Sequence, residues 1–94
     1  MELALEKMAP AIRALTLRHR ACNPRVFGSV LHGRTTPNSD IDILVDAMPG
    51  ATLFDLGGLQ VDLEELLGAR VDLLTPQDIS PRFRDKVLAE ARPI

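Results

Sequence analysis

The chain has no tryptophan and no tyrosine, and its only aromatic side chains are three phenylalanines among 94 residues. Proteins that stack single-stranded bases need several such rings, so that mode of binding has almost nothing to build on. Without tyrosine the protein also cannot modify a tyrosine of its own. Cys22 is the one cysteine, which excludes an internal disulfide and a cysteine-rich zinc site. Nor is there an excess of charge of one sign. Eleven basic residues stand against 13 acidic ones, for a formal net charge of −2, so no strong field draws the protein onto nucleic acid. No apolar run approaches the ~18 residues of a membrane span. The N-terminal stretch MELALEKMAPAIRALT is interrupted by Glu2 and Glu6 where a secretory signal would be apolar. Together these absences predict a cytoplasmic protein with no membrane and no direct nucleic-acid partner.

What is present is an ordinary globular balance, 46% hydrophobic and 26% charged. The length predicts one domain spanning residues 1–94, with a modest core that buries roughly 60–65% of the unfolded surface. Leu5, Met8, Ile12 and Leu15 recur at steps of 3, 4 and 3, the spacing of one helix face. Pro10 predicts a break or kink near Ala9, because it has no N–H and its ring crowds the preceding turn. Arg18-His19-Arg20 suits the negative end of a helix dipole. Asn23-Pro24 reads as a turn, and Arg25-Val26-Phe27 as a short strand stopped by Gly28. A brief helical turn is expected from Ser29 to Gly33, then a loop through Ser39.

Asp40 to Asp46 (DIDILVD) is the clearest strand. Leu53, Leu56, Leu59, Leu63, Leu66 and Leu67 return to helical spacing. Thr52 and Asp55 suggest a capping box, Gly68 a left-handed C-cap, and Gly57-Gly58 a loose first half. Val71-Asp72-Leu73-Leu74 is a second strand, and Ser80-Pro81 open a last helix through about Ala91. The order predicts an α/β fold, one small sheet of about three or four strands covered by helices.

Asp40 and Asp42, two apart at a strand mouth, point to the same side, with Cα atoms roughly 6.5–7 Å apart. Like charges held so repel unless solvent or a cation lies between them. If the two best strands are neighbours, Asp72 adds a third carboxylate, and hard divalent cations favour such oxygen ligands. Taken alone, each of these acids reads equally well as solvated strand-end charge. Gly28-Ser29 upstream sharpens the pattern, since glycine allows close backbone approach to a phosphate and a serine opening a helical turn offers its hydroxyl and free N–H groups.

The residues Phe27-Gly28-Ser29, ten further residues and Asp40-Ile41-Asp42 resemble the GS-x10-DxD signature of the DNA-polymerase-β-like nucleotidyltransferases. Four such fixed positions arise by chance in only about one chain in a thousand of this size. FGSVLHGRTTPNSDIDILVD and VDLLTPQDIS both look like segments of the minimal nucleotidyltransferases, and the likeness runs from about Arg25 onward. It implies a small mixed sheet of the polymerase-β-like type. It implies that Gly28 and Ser29 hold the nucleotide phosphates and that Asp40, Asp42 and Asp72 bind Mg²⁺, in a pair of ions, with Asp72 also near the attacking hydroxyl. Many members carry an arginine where this chain has His32 before Gly33. Arg25 and Arg34 could add positive charge near the phosphates or be plain surface.

A polymerase-like core normally needs further domains to bind its acceptor, and 94 residues hold none. The chain is similar to the MntA-type antitoxins that pair with HEPN ribonuclease toxins. That resemblance implies transfer of AMP from ATP onto a tyrosine of the toxin. A non-catalytic antitoxin that masks its toxin, and a transferase acting on a small-molecule acceptor, are the alternatives.

Overall fold

The computed structural model describes residues 2–28 and 40–94. Three helices and four strands follow in the order α1 (Glu2–Arg18), β1 (Ala21–Phe27), β2 (Ile41–Ala47), α2 (Leu53–Leu67), β3 (Val71–Leu74), α3 (Pro81–Glu90) and β4 (Arg92–Pro93), with a 3-10 turn at Pro76–Asp78. The strands form one mixed sheet in the order β3-β2-β1-β4. β2 runs antiparallel to β1 and parallel to β3, and β4 lies antiparallel on the outer edge of β1. The expected α/β architecture is therefore present. The expected helical turn at Ser29–Gly33 lies outside the described residues.

Strand alternation divides the sheet into two faces. Ile41, Ile43 and Val45 of β2 and Val71 of β3 are buried with Leu5 and Ile12 of α1 and Leu59 and Leu63 of α2 in one cluster. Each fully buried aliphatic side chain contributes about 1.5–3 kcal/mol relative to exposure. The residues between them, Asp42, Leu44 and Asp46 on β2 and Asp72 and Leu74 on β3, point to the other face. Leu44 is completely buried there.

Three local expectations need correction. α1 continues through Pro10 instead of breaking near Ala9. Pro10 sits on the exposed side, while Leu5 before it and Ile12 after it are anchored in the same core, and that shared anchorage overrides the proline. Met8 does not join them and is exposed. Asn23-Pro24 is no chain reversal but part of β1. The register shifts between Cys22 and Arg25, and Asn23 takes φ 52°, so the turn chemistry is spent on a β-bulge. The Pro24 carbonyl still accepts from the Ile94 N–H at 2.9 Å, tying the C-terminal residues to the edge.

The glycine pair does not loosen α2, which is helical throughout. A methyl group on Gly58 would lie 3.1–3.2 Å from the His19 ring, so this glycine lets α1 and α2 close together, and His19 Nε2 meets Asp62 Oδ2 at 2.7 Å. The capping box and Gly68 C-cap are as expected, with Gly68 at φ 64°. Pro81 opens α3, but the Ser80 side chain makes no capping bond. Arg84 holds that helix instead, donating to the carbonyls of Pro76 at 2.7 Å and Ile79 at 3.1 Å.

The Thr52 cap carries a pH signature. The Thr52 N–H donates to the Asp55 carboxylate at 2.9 Å, and this bond, with help from the Thr52 hydroxyl and from Arg20 and His19, holds the Asp55 carboxyl below its ordinary value of 3.8. Its contribution to stability is complete above 3.8 and fades as pH falls through the lower folded-state value. Thermal melts in acid should therefore lose less midpoint temperature in Asp55→Asn than in the wild type over that range. Parallel acid limbs for both proteins would contradict this.

Candidate active site

Parallel pairing of β2 and β3 sets Asp42 directly opposite Asp72, within the register Ile41↔Val71, Asp42↔Asp72, Ile43↔Leu73. Neighbouring strands lie about 4.8 Å apart, and partners across a parallel pair face the same way. Because Ile41 and Val71 are both in the core, the two carboxylates share the opposite face. Asp40 immediately precedes β2, two residues before Asp42. The Ile41 N–H donates to the Arg70 carbonyl at 2.9 Å, which levels the starts of the two strands. The result is a row of acids at one end of the sheet, Asp42 half-buried and Asp40 and Asp72 exposed.

Gly28 closes the row from the other side. It follows β1, whose last residue Phe27 pairs with Asp42, and takes φ 74°. A Cβ there would overlap Asp42 Oδ2 and lie 3.1 Å from Asp42 Cγ. Two independent constraints thus require glycine: left-handed backbone and the space occupied by the carboxylate. The sequence motif suggested room for a phosphate at this position; only the fold reveals that the same missing side chain also accommodates an acid. Nothing in the local sequence signals that contact, because the two residues meet across the β1–β2 pairing.

Ser29, His32 and Arg34 lie outside the described residues. Arg25 is neither plain surface nor free charge. Its guanidinium contacts the Asp46 carboxylate at 3.3 Å and donates to the Asn23 carbonyl at 2.6 Å, fastening the bulge. That ion pair was not foreseen, since the bulge that aligns its partners is itself a tertiary feature.

Among the described residues no three His, Cys, Asp or Glu side chains close around a single point as a metal cage. Asp42 and Asp72 share a face, Asp40 immediately precedes β2, and the three are not drawn together. Their donor set is nevertheless all oxygen, which suits a hard cation such as Mg²⁺ that keeps several of its own waters and takes only one or two protein carboxylates. Chemically, the arrangement can hold cations and a polyanion side by side.

A Gly28→Ala substitution tests this close packing. The added methyl must displace the Asp42 carboxylate, and the positive φ opposes alanine by about 1 kcal/mol or more. Nucleotide transfer is expected to fall by over tenfold, roughly 1.4 kcal/mol of barrier, while circular dichroism stays native. Full activity in that variant would mean that the Asp42 carboxylate need not stay where it is.

Comparison with known proteins agrees with this geometry. Residues 24–94 match the family model described as nucleotidyltransferase domain. A protein of Methanocaldococcus jannaschii named protein adenylyltransferase is 42% identical over 77 residues, covering 82% of this chain and 83% of that protein. The protein adenylyltransferase MntA of Thermococcus cleftensis is 40% identical over 65 residues, 69% of this chain and 66% of the relative. A solved structure described as a minimal nucleotidyltransferase superposes with TM-score 0.86 at 43% identity, covering 96% of this chain and 92% of that one. A toxin–antitoxin complex with AMP-PNP aligns with TM-score 0.73 at 25% identity, over 90% of this chain and 70% of its counterpart. With the model matched over most of its length and its sheet superposable on a solved member, this chain belongs to the nucleotidyltransferase family, among its minimal members.

Proposed function

We propose that this protein, acting as one nucleotidyltransferase domain over residues 1–94, transfers AMP from ATP to a tyrosine hydroxyl of a HEPN-type ribonuclease toxin and so neutralises it in the cytoplasm. The single observation that carries the reading is the facing pair Asp42 and Asp72, with Gly28 against Asp42. The relatives named protein adenylyltransferase and the likeness to a toxin–antitoxin complex holding AMP-PNP support the acceptor class.

On this reading Asp40, Asp42 and Asp72 would hold two Mg²⁺ ions, which would neutralise the triphosphate and the charge that develops in the transition state. Gly28 and Ser29 cradle the phosphates through backbone N–H groups and the serine hydroxyl. The carboxylate of Asp72, exposed on β3, takes the proton of the incoming protein hydroxyl. The tyrosine oxygen bonds to the α-phosphorus as the bond to the bridging oxygen breaks, and pyrophosphate leaves. The protein's work is positioning and charge stabilisation, consistent with acids on a rigid sheet edge instead of a mobile arm.

Intact-mass spectrometry of the toxin after incubation with this protein, ATP and Mg²⁺ tests the proposal. One or more AMP units should be gained, and none when the acceptor tyrosine is replaced by phenylalanine. A neutralised toxin of unchanged mass would instead identify a masking antitoxin. Nucleotide transfer to a small molecule with no protein partner present would identify a different acceptor.

A further inference from the structure

Two helix faces remain apolar in water. The outward side of α2 carries Leu53, Phe54 and Val61, which are 85%, 92% and 53% exposed. Their spacing puts them on one flank, opposite the buried Leu59 and Leu63. Gly57 lies between them, with nothing within 4 Å of the position its Cβ would take. Interior glycine weakens a helix relative to alanine. Gly58 has a reason in the His19 ring, whereas Gly57 has none inside the molecule; it leaves a notch flanked by Phe54 and Val61. One turn further the same flank ends in exposed Glu65, on a helix with four acids and no lysine or arginine.

The complementary surface is in the same chain. None of the residues of α3 is buried. Phe83 is 54% exposed, the Arg82 guanidinium lies 5.6 Å from its ring centroid, and exposed Lys86 follows one turn later on the same side. We propose that the protein self-associates, with α3 of one copy lying on the outward face of α2 of another, Phe83 seated in the Gly57 notch and Lys86 facing Glu65. Charge complementarity selects this occupant: α2 carries four acids and no base, α3 carries three bases against two acids with exposed Arg82 and Lys86 beside Phe83, and neither helix covers the other. The inference stands apart from the identity of the acceptor.

Sedimentation of the full chain from about 10 µM to about 1 mM, the range in which small interfaces associate, reads the outcome. The average mass should rise above that of one chain and fall back in high salt, which screens exposed pairs. Glu65→Lys should weaken association at least about tenfold, and combining it with Lys86→Glu should restore it to within about threefold, a rescue that misfolding cannot mimic. Asp40→Ala should associate like the wild type, which separates this proposal from the catalytic one. A single-chain mass throughout, or a charge swap without rescue, overturns it. So does a Phe83→Ser variant that associates normally, or a Phe54→Ser variant that loses only toxin modification while the wild type stays monomeric.

Discussion

Asp40→Ala and Asp42→Asn are each expected to lower AMP transfer to the toxin at least about a hundredfold, equivalent to ~2.7 kcal/mol of barrier. The size follows from the proposed role: on that reading three carboxylates share the cation binding, so each carries a large part of it. Asp42 is the more demanding test, because two strands and Gly28 all meet it. It sits opposite Asp72 on β3, opposite Phe27 on β1, and against Gly28. Replacement by asparagine keeps the shape against Gly28 and removes the charge. Transfer of label from radiolabelled ATP, measured beside a thermal melt, separates chemistry from folding. Asp40 and Asp72 are exposed, so their alanine variants should change stability by no more than about 0.5 kcal/mol. Near-normal transfer by the Asp40/Asp42 double variant would discard the assignment of these acids.

Leu63→Ala should strongly destabilise the protein. Leu63 is fully buried between α2 and the sheet, and truncating such a leucine costs about 2–5 kcal/mol through lost burial and the cavity left behind. In a domain of this size each kcal/mol lowers the melting midpoint by roughly 4–8 °C, so a fall of at least about 10 °C is expected, and the variant could be partly unfolded at 37 °C. Leu53→Ala, on the same helix but 85% exposed, should shift the midpoint by no more than about 4 °C in dilute solution. Equal effects at the two positions would contradict the assignment of the inward face.

That pair of leucines shows how far pattern alone reaches. Helical spacing grouped the leucines of 53–67, and the chemistry of Thr52, Asp55 and Gly68 marked both ends of the helix, but Gly57-Gly58 suggested a loose first half where the helix is continuous. Periodicity grouped Met8 with Leu5 and Ile12, however, and the fold leaves Met8 exposed, because a face broad enough for four side chains meets a small sheet that covers fewer. Pro10 and Asn23-Pro24 were misread for a related reason. Their local preferences are real, but anchors on either side of Pro10 and strand pairing on either side of the bulge outweigh them. The two-residue strand β4 has no periodicity to detect and exists only through its pairing with Arg25 and Val26.

Short-range chemistry sufficed for the rest. Two-residue strand periodicity predicts that Asp40 and Asp42 share a side, although β2 itself starts only at Ile41, and the glycine-serine step and the acid pair could be recognised together from their fixed separation. No local rule brings Asp72 to them. Twenty-nine residues, a helix among them, intervene between Asp42 and Asp72, and a slip of one residue between β2 and β3 would turn the third carboxylate toward the core. Burial of Ile41 against Val71 prevents that slip. The list of candidate acids was therefore written in the linear order of the chain, while their meeting on one face, and the fit of Gly28 against one of them, were decided by how the apolar side of the sheet packs.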